Sequence, residues 1–279
     1  MQAAESMIDT NIDAALAEDL GEVGDLTARL IPETARAHAR VITREDAVLS
    51  GQPWFSALFK RLDPNARLFW LAEDGEDIAA GHTICEVKGN ARALLGAERP
   101  ALNFLQTLSG VATETRHYVA AVAGTKARIY DTRKTIPGLR EALKYAVRCG
   151  GGENQRMGLY DGILIKENHI AAAGGIRPVL EQARRIAPAG VPVQIEVETM
   201  AQLAEALDAG ARLILLDNFD TESLREAVLF TDGRAELEAS GGIDLGNVRS
   251  VAETGVDRIS IGSLTKSVRA VDLSLRFLD

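Results

Sequence analysis

The chain has 279 residues, a net charge of -9, 46% apolar and 25% charged residues, and a pI near 5.1. This is enough chain for one large domain or two modest ones, its composition is that of an ordinary globular protein, and its acidity argues against a nucleic-acid surface. Cys85 and Cys149 lie far apart without metal-ligand spacing, which fits a reducing cytoplasm and no disulfide framework, and no apolar stretch approaches the roughly 20 residues of a membrane span.

At the start, Ile8, Ile12 and Leu16 recur at helical spacing; Thr10 or Asn11 could cap that helix and Gly21 could end it. The segment MQAAESMIDTNIDAALAEDLGE is acidic and lacks the basic start and apolar run of a signal peptide. Its acids, Asp9, Asp13, Glu18 and Asp19, read as a solvated face. From about Asp25 to Gly89 the pattern is shorter and strand-like, with strands over Ala39–Ile42, Leu68–Leu71 and Thr83–Val87 and turns at Asp63-Pro64-Asn65 and Asp74-Gly75. Trp54, Phe55 and Phe59 read as core. EDGEDIAAGHTICEVKG has the superficial look of a lipoyl or biotinyl carrier, but Lys88 follows a strand and is not displayed at a hairpin tip. Ala91 to Ala123 reads as helix broken near Arg99-Pro100 and again at Gly110, with Pro100 suited to the first turn of a new helix.

After Thr125 the periodicity changes. Short apolar strands are expected at Arg128–Tyr130, Gly162–Ile165, Val193–Val197, Leu213–Leu216, Ala235–Ala239 and Arg258–Ile261. Between them, helices are expected at Gly138–Val147, Ile176–Ile186, Met200–Ala209, Thr221–Leu229 and Leu245–Thr254. Strand–helix alternation implies parallel strands with right-handed crossovers, in a βα barrel or a doubly wound sheet; six strands do not support a full eight-stranded barrel.

Each of these strands runs into polar groups: Asp131-Thr132-Arg133-Lys134, Lys166, Glu196 with Glu198, Asp217-Asn218, Ser240-Gly241-Gly242 and Gly262-Ser263. Catalytic groups of βα barrels lie at strand C-termini. Arg133, Lys134, Arg156 and Lys166, gathered at loop mouths on an acidic chain, point to a pocket for a small, highly charged anion. Arginine offers a planar fork for a carboxylate, and lysine a point charge suited to phosphate. Glu196 and Glu198, two apart on a strand, would share a face; an inward carboxylate beside an anion can bind Mg²⁺ or stabilise positive charge growing on a sugar. Glu198 reads as a strand-end residue paired with a neighbouring cation. Ser240-Gly241-Gly242 before a helix, with Gly262-Ser263 after the last strand, makes an anion site of backbone N–H groups, the place for a phosphate. Gly150-Gly151-Gly152 reads as a tight loop and not a phosphate cradle, and His169 as a hydrogen-bonding residue behind the site rather than an acid–base catalyst.

Three strings, DTRKT-PGLR, KYAV-CGGG-N and LIKENHI, resemble the quinolinate phosphoribosyltransferase family, and the resemblance runs from about Leu20 to Phe277. It implies an N-terminal α/β sandwich domain with a leading helix over 1–110 and an incomplete, six-stranded α/β barrel over 111–265. A final segment, 266–279, would return to the first domain. It implies transfer of phosphoribosyl from phosphoribosyl pyrophosphate to quinolinate with decarboxylation, in the cytoplasm, with Mg²⁺ as cofactor. By the same resemblance Arg133, Arg156 and Lys166 contact the quinolinate carboxylates, with Thr132 and Lys134 nearby. Glu196 and Asp217 hold the metal and the ribose hydroxyls, and Lys134, Lys166, Glu196 and Asp217 are the catalytic set. Ser240, Gly241, Gly242, Gly262 and Ser263 hold the 5-phosphate, and Gly150-Gly151-Gly152 shapes the pyridine side. Arg99 enters a neighbouring subunit's site, so a homodimer or larger assembly is expected, with no nucleic-acid or membrane partner.

One residue departs from the pattern: where the family usually reads N-H-R this chain reads Asn154-Gln155-Arg156. Gln155 can donate a hydrogen bond but carries no charge. A hydrogen bond to a charged group is worth roughly 1.5–3 kcal/mol against about 1 for a neutral one, so weaker quinolinate binding or a different ring substituent is expected. The rival readings are a related pyrophosphorylase of the molybdenum-transport-associated type, a nicotinate phosphoribosyltransferase, a non-catalytic pyridine or nucleotide sensor, and an aldolase with Lys166 as Schiff base.

Overall fold

A computed structural model describes residues 5–278. The chain divides into two compact units. The first takes the chain up to Arg116, then Thr135–Gly151 and the stretch from Leu264 onward; the second takes His117–Lys134 and Gly152–Ser263. Thr135–Gly151 thus packs with the first unit.

The elements run α1 (Glu5–Leu20), β1 (Arg36–Thr43), β2 (Ala47–Val48), α2 (Gln52–Leu62), β3 (Arg67–Trp70), β4 (Asp77–Ile78), β5 (Thr83–Asn90) and α3 (Ala91–Ala121). Then come β6 (Arg128–Tyr130), α4 (Arg140–Cys149), β7 (Ile163–Ile165), α5 (Glu167–Ala172), α6 (Ile176–Ile186), β8 (Val193–Val197), α7 (Met200–Asp208) and β9 (Leu213–Asp217). The chain continues through α8 (Thr221–Thr231), β10 (Glu236–Ser240), α9 (Val248–Ala252), β11 (Arg258–Ser260), α10 (Ser263–Lys266) and β12 (Leu273–Leu278).

In the first unit β12, β1, β5 and β3 form an antiparallel sheet in that order. The last strand pairs with the first, His38 opposite Leu278 and Thr43 opposite Leu273. Trp54, Phe55, Leu58 and Phe59 bury one face of α2 almost completely, each contributing roughly 1.5–3 kcal/mol of apolar burial. The N-terminus of α2 is tied by Asp74, whose carboxylate accepts N–H groups of Gly51 at 3.1 Å and Gln52 at 3.2 Å and the Tyr145 hydroxyl at 2.7 Å.

Two expectations for this unit are corrected. Helix α1 already includes Glu5, so neither Thr10 nor Asn11 caps it. Thr10 Oγ1 donates to Ser6 O, while Asn11 bridges Trp54 Nε1 and the Gly138 carbonyl. Helix α3 is continuous through Pro100 and Gly110. A Cβ at Gly110 would overlap the Arg269 carbonyl oxygen, so that glycine admits a passing chain and does not break the helix. Gly150 ends α4, and a Cβ there would overlap Ala112 O and the Thr115 side chain. Gly150 therefore admits the close approach of α3 to the end of α4.

The second unit is an open sheet of six parallel strands in the order β6-β11-β10-β9-β8-β7, an incomplete α/β barrel. Partly exposed ion pairs gather at the N-terminal ends of its strands. Glu153 accepts from Arg128 Nη1 at 2.9 Å and from the Tyr130 hydroxyl at 3.0 Å, and Glu236 accepts from Arg258 Nε at 2.7 Å. The Arg258 and Arg128 guanidinium carbons lie 5.0 and 5.9 Å from the Tyr130 ring centre, within cation–π range. This end is structural; the opposite one is open.

Candidate active site

The C-terminal mouth of the six-stranded sheet encloses a cavity of about 380 Å³. Of the residues expected at the site, Thr132, Arg133, Lys134, Gln155, Arg156, Lys166, Glu196, Asp217 and Ser240 line it together. Gly241, Gly242, Gly262 and Ser263 do not line it but sit on loops at strand ends. Arg99 is exposed on α3 in the first unit.

Asp131 organises the cation side. Fully buried at the end of β6, it accepts Asn154 Nδ2 at 2.6 Å and the Gln155 backbone N–H at 2.8 Å, which ties the loop carrying Arg156 to the loop carrying Arg133. Arg156 is aimed by its Nη1 bond to Gly162 O at 2.8 Å. Asp161 fixes the same turn by accepting the N–H groups of Met157 at 2.7 Å and Gly158 at 2.8 Å. Burial lowers the Arg156 pKa from its ordinary value, and the Arg133 charge lowers it further while Asp161 opposes. Arg133 Nε is buried without a hydrogen-bond partner. Two like charges and an orphaned buried donor cost stability; a carboxylate placed between them would relieve both.

On the other side Lys166 Nζ donates to Glu196 Oε2 at 2.7 Å. The Lys166 backbone N–H donates to His169 Nδ1 at 3.0 Å, so His169 fixes the turn from which the lysine projects, as expected of a residue behind the site. Burial raises the Asp217 pKa; Lys166 and Lys134 oppose this, and Glu198 and Glu167 add to it. Glu198 lies past the end of β8, exposed, with its N–H bonded to Gln202 Oε1 at 2.7 Å. Among the described residues it forms no ion pair, contrary to expectation, because the strand stops at Val197.

The glycine loop differs in detail from expectation. Gly241 (φ +99°) and Gly242 (φ +61°) occupy the left-handed region, and a Cβ at Gly241 would overlap Asn218 Oδ1. The following helix is Val248–Ala252, not Leu245–Thr254, because Asp244 Oδ1 takes the Gly246 and Asn247 N–H groups into a turn first. No helix N-terminus directly follows the glycines, so loop N–H groups are what this corner offers an anion. Gly262 is equally constrained: a Cβ would sit 3.1 Å from Lys134 Cδ.

Two residues escaped the sequence reading, and a third, Asn218, was named there without a role. Asn218, a non-glycine at φ +58°, donates through Nδ2 to Asp217 Oδ2 at 2.9 Å and so orients that carboxylate. Glu238, fully buried, lines the cavity two residues before Ser240, and the buried Gln194, two residues before Glu196, donates to it at 2.9 Å. Counting back two residues along each strand would have found both. They also change the role of Gln155. Its Nε2 donates to Glu238 Oε2 at 2.5 Å and to Gln194 Oε1 at 3.3 Å, so both amide hydrogens already have acceptors. The expected hydrogen bond from Gln155 to a substrate is not available in this arrangement.

Comparison with known proteins agrees with this geometry. Residues 25–109 match the family profile described as quinolinate phosphoribosyl transferase, N-terminal domain, and residues 111–276 match that of its C-terminal domain. The chain is 43% identical over 258 residues to a probable nicotinate-nucleotide pyrophosphorylase (carboxylating) of Bacillus subtilis, covering 92% of this chain and 89% of that one. It is 39% identical over 284 residues to quinolinate phosphoribosyltransferase (decarboxylating) 1 of Nicotiana glauca, covering 95% of this chain and 81% of that one. The solved nicotinate-nucleotide pyrophosphorylase of Francisella tularensis superposes with a TM-score of 0.96 at 42% identity over 99% of this chain and 98% of that one.

Proposed function

The chain belongs to the quinolinate phosphoribosyltransferase family, and we infer that it performs the family's reaction at the mouth of the six-stranded sheet. It is a pentosyltransferase that joins quinolinate to the phosphoribosyl group of phosphoribosyl pyrophosphate, giving nicotinate mononucleotide, pyrophosphate and CO2 for NAD biosynthesis. The observation that carries the assignment to this pocket is the Arg133–Arg156 pair, with like charges together and a buried N–H lacking an acceptor. That arrangement is stable only once a rigid carboxylate dianion arrives.

The roles follow from position. Arg133 and Arg156 take the carboxylates in charge-assisted hydrogen bonds, with Lys166 on the opposite wall. The ring nitrogen then displaces pyrophosphate at the anomeric carbon. The alkylated nitrogen is cationic and stabilises the carbanion left when the adjacent carboxylate departs as CO2; that carbon then takes a proton. Glu196 and Asp217, oriented by Lys166 and Asn218, face the positive charge that grows on the ribose. Lys134 faces the phosphates, as do the loop N–H groups of Ser240, Gly241, Gly242, Gly262 and Ser263. No covalent nucleophile is needed; the site positions and neutralises.

Mg²⁺ fits this donor set. Glu196 and Asp217 supply hard oxygens, and the described residues hold no group of three or more His, Cys, Asp or Glu able to bind a metal alone. That suits an ion that takes one or two carboxylates and completes its shell with substrate oxygens and water. When bound, it would offset charge on the departing pyrophosphate. The exposed Arg99 is assigned to the site of a second copy, making the working unit at least a dimer. Two buried free thiols suit a reducing cytoplasm, and no helix among the described residues is long and apolar enough to cross a membrane.

The test is product analysis with phosphoribosyl pyrophosphate and Mg²⁺, offering quinolinate and nicotinate in parallel. Nicotinate mononucleotide with equimolar CO2 from quinolinate alone is expected. Product from nicotinate, or from neither, would overturn the reading.

A further inference from the structure

The cavity floor holds a carboxyl group that the reaction as described does not use. Glu238 is 0% exposed, lies beneath a pocket for anions, and has one oxygen, Oε1, buried without a partner. A carboxylate there opposes substrate binding unless it does something else. What it does is orient amides. An ionised carboxylate only accepts hydrogen bonds, so both neighbouring glutamines must turn their NH2 groups toward it. Gln155 Nε2 and Gln194 Nε2 reach Oε2 at 2.5 and 2.9 Å. That orientation turns Gln194 Oε1 toward Gln155, and the oxygen takes the second Gln155 hydrogen at 3.3 Å. The cycle has one consistent set of orientations. It leaves the Gln155 carbonyl, which the Arg156 N–H approaches at 3.4 Å, as the polar atom that side chain can present.

We propose that Glu238 is a specificity-determining positioning residue: with Gln194 it locks Gln155 as an acceptor, so that this side chain refuses a carboxylate and both substrate carboxylates are committed to Arg133, Arg156 and Lys166. The pyridine ring thereby enters in one orientation. The inference rests on the function proposed above and concerns how that substrate is selected.

The test is a cycle of variants read as KM for quinolinate and for phosphoribosyl pyrophosphate separately. Glu238→Met removes the carboxyl acceptor and frees the Gln155 hydrogen now given to Oε2 to donate to a substrate carboxylate; KM for quinolinate falls by about fivefold or more, a charge-assisted bond discounted for side-chain freedom, while KM for phosphoribosyl pyrophosphate stays within about twofold. Glu238→Gln removes the charge but keeps an oxygen acceptor, and stays within about threefold of the wild type. In a Gln155→Ala background Glu238→Met changes nothing beyond about twofold, which is the coupling such a cycle isolates. A Glu238→Met effect that persists without Gln155, or that Glu238→Gln reproduces, overturns the proposal, because charge alone would then explain it. If Glu238→Met does not fold, Gln194→Met releases one Gln155 hydrogen and gives a smaller fall in the same constant. A readout free of turnover separates this proposal from the functional reading. The Gln155 side-chain amide signal, assigned by its loss in Gln155→Ala, is protected from solvent exchange in the ligand-free wild type and exposed in Glu238→Met or Gln194→Met. An unprotected wild-type signal sinks the proposal whatever the substrate, whereas a wild type that is protected but inert toward quinolinate sinks the functional reading alone.

Discussion

The two units contain buried ionisable side chains in different surroundings. In the first unit Asp74 receives two backbone N–H groups and the Tyr145 hydroxyl, and Asn11 satisfies both Trp54 and Gly138. In the second, Arg133 Nε and Glu238 Oε1 are buried without partners in one cavity, and Arg133 depresses the pKa of its neighbour Arg156. The first unit uses polarity to hold itself together. The second keeps it for a ligand and is less stable without one, the usual relation between a binding site and its scaffold.

The largest effect should come from breaking the cation pair. Arg133→Ala or Arg156→Ala should lower kcat/KM for quinolinate about a hundredfold or more, since each loses up to two hydrogen bonds worth roughly 1.5–3 kcal/mol apiece. The ligand-free melting temperature should stay level or rise. A fall of several degrees in a thermal melt would mean that the pair stabilises the barrel and that the contrast between the units is false.

Next in size is Gly241→Ala, which puts a Cβ on Asn218 Oδ1 in a left-handed backbone. With strain of about 1–3 kcal/mol at such a position, KM for phosphoribosyl pyrophosphate should rise roughly tenfold while calorimetric binding of quinolinate alone is unchanged. A change in both ligands would show that the loop does not separate phosphate from pyridine.

The smallest effects belong to the first unit. Tyr145→Phe should cost about 1 kcal/mol in urea unfolding and leave both KM values alone. The Asp74 carboxyl has its pKa raised by burial, against the hydrogen bonds it accepts. Its protonated form is therefore favoured in the folded state, and the associated stability is present below the ordinary carboxylate value, about 4, and lost as pH rises through the raised one. The stability of the wild type relative to Asp74→Asn should decline across that window. A difference flat with pH would mean that Asp74 titrates as it does unfolded.

Much of this was legible in the sequence because it is local. The six parallel strands follow from alternating apolar runs, and β6 and β8 begin and end where periodicity puts them. The cations of the pocket are fixed by their own strand ends. What stayed hidden depends on distant partners. Pro100 and Gly110 read as breaks because nothing nearby reveals that Gly110 must admit Arg269. The partners of Gln155, Gln194 and Glu238, stayed out of view because they come from two other strands. Stepping forward from Glu196 led to the exposed Glu198, whereas stepping back would have reached Gln194.

The pairing of β12 with β1 has a consequence for how the molecule is assembled. The first sheet is complete only when Leu273–Leu278 docks against Arg36–Thr43. Most of the chain lies in the loop that this docking closes, and the closure entropy must be met before its contacts form. The six-stranded unit joins many of its neighbouring strands in sequence order, which favours rapid early formation, whereas long-range strand pairing is slow. During synthesis, β1 should wait with one edge unpaired while the barrel forms, an edge able to recruit another chain.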